Sequence, residues 1–308
     1  MLSGRIGMKD VRVNLSSMLT AGVAAVLACF SVRADEAEAR WVQSYNAGYT
    51  DRNGAHAGGS EIMHLVPHKG KLYAANGYWV DSRWVIPPDA EKQSAQVLRL
   101  DSADGHWQVD LDTGKANGFD LRYMKGNILK SVTFTRDAAG RRLEKPQNLL
   151  VMAAGANFER GGAVSTWVKD DSSGRWIHTL VRHGSTAGGV RWVPRDMEIY
   201  RDKETGIERL FLLLGNPGVT SGVYDPNLPG KIRWDRHVEF PFLPTGSLKT
   251  RPLGLAQANG SLYLSEGSSI YRRDDGERPG YTEILNLESD TDTDVGGIRG
   301  LTAISNPN

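Results

Sequence analysis

Five charged residues recur at corresponding places along the chain: Glu61, Lys130, Arg195, Arg251 and Arg299. Each leads a short run in which apolar residues alternate with others, as in EIMHLVPHKGKLY, RDMEIYRDKETGIERLF and RPLGLAQANGSLY. Four of the five are basic. Gathered around one opening, they would concentrate anions, because a funnel lined by one sign of charge attracts the other. Arg can moreover grip a carboxylate, sulfate or phosphate through two hydrogen bonds. The same residues also suit a structural task, pairing with backbone carbonyls or with acidic neighbours such as Asp196 and Glu61.

Other side chains add to this chemistry. Among the seven histidines, His56 and His183 are expected just before leading runs, and His64 within one. A His base with a nearby Tyr would serve β-elimination from a uronic acid, the basic ring neutralising the carboxylate. A long aromatic stretch includes Tyr78, Trp79 and Trp84, whose flat faces suit sugar stacking or a protein contact. Phe158-Glu159-Arg160 is its shorter counterpart in the next repeat. Asp290, Asp292 and Asp294 alternate before Gly296 like the first half of a calcium loop, although the twelfth position is Leu301 rather than Glu. The histidines form no HExxH or other metal-ligand spacing, and there is no GxSxG, P-loop or dinucleotide fingerprint.

The elements that must position these residues follow from the repeat. Each leading run, its Gly-containing turn and the next apolar run read as two antiparallel strands. A second phrase supplies two more: Val97–Asp112, Val164–Val181, Ser221–Phe240 and Ser268–Leu287, with Trp107, Trp176, Trp234 and Tyr281 in matching places. The leading charges lie 69, 65, 56 and 48 residues apart, the length of a four-stranded blade, and helical periodicity is absent. The expectation is an all-β propeller: four blades plus the first strand, Ile298–Ile304, of a fifth. Ala39–Tyr45, led by Trp41, reads as an outer strand completing the last blade. The ring is then expected to be a truncated form of one with five to seven blades.

GGSEIMHLVPHKGKLYAANGYW, SGVYDPNLPGKIRW and GGIRGLTAI resemble exported bacterial propeller proteins to which no function is assigned. The resemblance covers nearly all of the chain after residue 34 and implies the blade architecture, but no catalytic residues. Residues 1–34 read as a signal peptide: Lys9 and Arg12, an apolar run, then Val32-Arg33-Ala34. Export to the periplasm or medium is expected for 35–308, with Cys29, the single cysteine, a weak lipid-anchor signal. A net charge of +1 gives no support for nucleic acid binding, and no later run is long enough to cross a membrane. The reading is an exported propeller that binds an acidic glycan or another anion at the channel mouth. A lyase or hydrolase of acidic polysaccharide and a protein-binding scaffold are the alternatives. Calcium is the one cofactor suggested.

Overall fold

The computed structural model describes residues 42–78, 94–116, 123–158, 161–242, 252–287 and 297–304. Trp41, Trp79, Trp84, Glu159, Arg160, Arg251, Asp290, Asp292 and Asp294, with the expected signal peptide and Cys29, lie outside them.

A small hairpin, β1 (Tyr49–Thr50) and β2 (His56–Ala57), precedes four antiparallel sheets of four strands each. The first holds β3 (Glu61–His68), β4 (Lys71–Gly77), β5 (Gln96–Leu100) and β6 (Gln108–Asp112). The second holds β7 (Ile128–Arg136), β8 (Arg142–Phe158), β9 (Gly161–Asp170) and β10 (Arg175–Gly184). The third holds β11 (Met197–Arg201), β12 (Glu208–Leu213), β13 (Val219–Tyr224) and β14 (Ile232–Trp234). The fourth holds β15 (Pro252–Ala258), β16 (Ser261–Glu266), β17 (Ser269–Asp274) and β18 (Gly280–Asn286). Chain order equals sheet order throughout, and the first strands β3, β7, β11 and β15 pack successively against one another. These are four blades of a β-propeller.

The turns explain why the strands fold back. Lys69-Gly70 and Asn259-Gly260 both take positive φ at each residue, 45° and 77°, then 48° and 67°. Two-residue hairpins need that conformation, and glycine adopts it without steric cost. Alternation then sends the two sides of each strand to different seams. On β8, Leu149, Val151 and Ala153 join a core with Met197, Leu210 and Leu212 of the third sheet. Leu150, Met152 and Ala154 face Tyr73, Ala75 and Val97 of the first. A third core joins Tyr200, Phe211 and Leu213 to Leu255, Leu262 and Leu264. Trp107, Trp176, Trp234 and Tyr281 each enter one of these clusters or the outer cluster of the first sheet.

Carboxylates clasp the seams. Glu208, 6% exposed on β12, accepts from the Thr135 and Arg136 amides and the Thr135 hydroxyl. Asp110 binds Lys169 Nζ at 2.6 Å and Trp176 Nε1 at 2.8 Å. Asp275 accepts from Tyr200 Oη and the Lys203 amide. Trp192, in the connection to β11, presses on Gly155, Gly162 and Gly184, where any Cβ would collide with it.

Two expectations about the ends differ from the structure. Residues 42–48 form no strand, and Ser44 and Tyr45 lie on the first sheet, not the last. Trp107 Nε1 donates to Ser44 Oγ, Tyr45 stacks edge-on against Trp107 and Tyr49, and Tyr45 Oη donates to Gly58 O. Burial of three aromatic rings together draws the segment there. Ile298–Ile304 is likewise not a strand: the Ile298 amide donates to Gly267 O and Leu301 lies beside Gly254 on β15, without a ladder.

Candidate functional site

The leading residues do converge where the described residues allow a comparison. Glu61 opens β3, Lys130 is the third residue of β7, and Arg195 stands two places before β11. Arg299, also predicted, is exposed on the segment after the fourth sheet. The first strands pack side by side, and the charges at their starts act on one another at one end, the mouth.

Asp196 is the centre of this end. Its Oδ1 accepts from the Met197 amide at 2.8 Å, and its Oδ2 from the Leu255 amide of β15 at 2.9 Å. Lys130 Nζ of β7 lies 3.8 Å from Oδ1, and His64 of β3 is close enough to act on its charge. All four first strands therefore contribute to one carboxyl, which keeps about a quarter of its side-chain surface open (24%). Burial pushes its pKa up, and the opposing pull of Lys130, the two amides and His64 does not cancel the rise.

Lys130 is held firmly. Its Nζ donates to Met197 O at 2.7 Å and to Glu198 Oε2 at 2.5 Å. That pairing ties β7 to β11 and places a second carboxylate beside the mouth. Lys125, three residues before β7, is half-buried against Gly77. Its pKa is lowered, chiefly by burial and then by the nearby Arg195 charge, with Glu61 pulling the other way. Glu61 Oε1 is buried and has no hydrogen-bond partner. The mouth is thus a mixed cluster: Glu61, Asp196 and Glu198 against Lys125, Lys130 and Arg195, with His64 alongside.

The histidines separate. His64 Nε2 sits 2.8 Å from Asn127 O, so this nitrogen donates and Nδ1 faces elsewhere. His56 is exposed in the small hairpin. His183, expected before a first strand, instead pairs with Ala163 in β10, the outermost strand of its sheet. Tyr78 is buried, 5% exposed, with its amide bonded to Met124 O, and so is not a free stacking face. Among the described residues, no group of three or more His, Cys, Asp or Glu is placed to hold a metal ion. Nor is any helix there long and apolar enough to cross a membrane.

Sequence reasoning underrated Asp196, treated only as a neighbour of Arg195, and passed over Lys125 and Glu198. Lys125 has no repeat signature, because it lies in the connection between sheets. Two clefts lie away from the mouth. One of about 410 Å³ adjoins Tyr49 and Trp107, and one of about 600 Å³ runs beside Arg273. Arg273 is 4% exposed and bound to Asp202, Glu239 and Asp275, so the second cleft borders a structural network.

No family model matches the chain, and no curated protein does. Solved structures give distant likenesses. An α-L-arabinofuranosidase of Fusarium graminearum is 11% identical with a TM-score of 0.43, over 73% of this chain and 66% of that one. An α-L-arabinanase of Penicillium chrysogenum is 13% identical with a TM-score of 0.42, over 75% and 68%. A β-xylosidase/α-arabinofuranosidase from a compost metagenome is 12% identical with a TM-score of 0.33, over 73% and 77%. The chain spans just under two thirds of the first of these. Overlap this loose carries no inference about chemistry, and the propeller assignment rests on the sheets themselves.

Proposed function

We propose that the protein binds a carbohydrate chain at the channel mouth and hydrolyses a glycosidic bond there, with Asp196 as proton donor. The observation that carries the reading is Asp196 itself: a partly open carboxyl, held by groups from all four first strands, whose pKa burial shifts upward. A general acid must keep its proton at working pH and release it to the leaving oxygen as the bond breaks. Glycoside hydrolysis ordinarily uses two carboxyl groups around an oxocarbenium-like transition state. Glu61, whose charge acts on Lys125 at the same end, is the residue we assign as the second.

Lys125 and Arg195 support a narrower form of the reading, in which the glycan is acidic. Their mutual repulsion is relieved by an anion between them. A second reading, binding of an acidic glycan without turnover, rests on the same pair. β-Elimination, with His64 Nδ1 as base, is the third.

The test is incubation of the protein with neutral, uronate-containing and sulfated oligosaccharides, following new reducing ends and ultraviolet absorbance together. Hydrolysis yields reducing ends without absorbance, elimination yields both, and saturable binding with neither leaves the binding module. Silence in every channel would overturn all three.

A further inference from the structure

His68 closes β3 and is 3% exposed, yet the mouth makes no use of it. Its ring bridges the seam between the first and second sheets. Nδ1 lies 3.0 Å from Ser131 Oγ on β7, and Nε2 lies 3.2 Å from Asp171 Oδ2 in the β9–β10 turn. Asp171 also accepts from Lys69 Nζ at 2.5 Å. Burial raises the Asp171 pKa, but the bonds from Lys69 and His68 outweigh it and keep the carboxylate ionised.

The chemistry of the groups fixes the direction of the chain. An ionised carboxylate only accepts, so Nε2 carries the hydrogen. In the neutral ring Nδ1 is then an acceptor, and Ser131 is the donor facing it. Asn148 Nδ2 donates to Ser131 Oγ at 3.0 Å, while the other acceptor open to the hydroxyl, Asn148 Oδ1, is farther away at 3.3 Å. A hydroxyl facing an imidazole nitrogen, with the ring itself oriented by a carboxylate, is the arrangement that activates a serine. The ring nitrogens are exchanged relative to the serine protease triad, with Nδ1 facing the serine.

We propose that Ser131, His68 and Asp171 form a second reactive site, independent of the mouth, that transfers small acyl groups from esters. Ser131 Oγ attacks the ester carbonyl carbon while its proton passes to His68 Nδ1. Collapse of the tetrahedral adduct breaks the bond to the alcohol oxygen, which leaves with that proton. Water adds to the acyl-serine by the same route and releases a carboxylic acid and free Ser131. Asn148 Nδ2 stands within reach of the oxyanion formed beside Oγ. Asp171 is a positioning residue, since it acts through His68. Reagents approach along the exposed end of the seam, where Thr133, Lys69 and Asp171 face solvent. Tyr73 stands edge-on to the His68 ring and closes the inner end of the seam.

The full chain is treated with a fluorophosphonate probe and, separately, with p-nitrophenyl acetate. The expected results are covalent label on the Ser131 peptide and a roughly 100-fold loss of phenolate release in Ser131→Ala. Ser131→Cys keeps the size of the side chain and guards against a folding defect; its thiol should react rapidly with iodoacetamide at neutral pH. Asp171→Asn should slow labelling and Asp171→Glu should retain it. A folded wild type that takes no label at Ser131, or a Ser131→Ala protein with undiminished esterase activity, overturns the proposal. Labelling indifferent to both Asp171 variants removes that residue from the site.

Discussion

Replacing Glu208 by Ala tests whether carboxylate clasps hold the seams. Glu208 sits at the head of β12, and its two oxygens receive the Thr135 amide at 2.5 Å, the Arg136 amide at 3.0 Å and the Thr135 hydroxyl at 2.7 Å. Thr135 is exposed, so its hydroxyl can turn to water when the carboxylate is gone. The two amides cannot turn, because β7 fixes their direction. Each buried donor left unpaired costs about 1–3 kcal/mol, and water reaching this edge keeps the pair nearer a total of about 2–4 kcal/mol. For a chain of this size that corresponds to a melting-temperature drop of roughly 3–7 °C. Urea denaturation of the wild type, Glu208→Ala, Thr135→Ala and the double variant gives the numbers. The Thr135→Ala effect should shrink in the Glu208→Ala background, leaving a coupling of about 0.5–1.5 kcal/mol. A loss below about 0.5 kcal/mol for Glu208→Ala, or strict additivity of the two changes, would refute the clasp.

Three further outcomes follow from the same structure. Gly162→Ala should cost about 1–3 kcal/mol or more, because its Cβ would stand 2.0 Å from Trp192 Cδ1, and circular dichroism melts will show it. Asp202, pushed up by burial but held down to about 2 by amide bonds and Arg273, stabilises the fold above its unfolded value of 3.8. That contribution should fade as pH falls from about 4 towards 2, and Asp202→Asn should flatten this part of a stability-against-pH curve. Lys130→Met removes the cation that lowers the Asp196 pKa. The alkaline limb of any glycosidase pH profile should therefore move to higher pH.

Much of the fold was legible because its rules are local. Alternation in Glu61–His68 and the positive-φ pairs Lys69-Gly70 and Asn259-Gly260 each lie within a few residues. The four leading positions that mark the blades follow from the same short-range pattern. The ends misled because Ser44 and Tyr45 answer to Trp107, about sixty residues away, rather than to the repeat. The site was half legible for a similar reason. Glu61, Lys130 and Arg195 carry the repeat position, but what Asp196 does depends on Leu255 and Lys130 arriving from other blades. The Ser131–His68–Asp171 chain spans 103 residues and follows no spacing a motif could encode.

The central claim, that Asp196 donates the proton to a departing sugar oxygen, is tested most directly by how the loss of that residue depends on the leaving group. Asp196→Asn is compared with the wild type on a dinitrophenyl glycoside, whose phenolate leaves without help, and on an oligosaccharide with the same glycone. Proton donation by Asp196 predicts a fall of roughly 100-fold or more on the oligosaccharide and little change in bond cleavage on the dinitrophenyl glycoside. Equal losses on both substrates, or none on either, would contradict it.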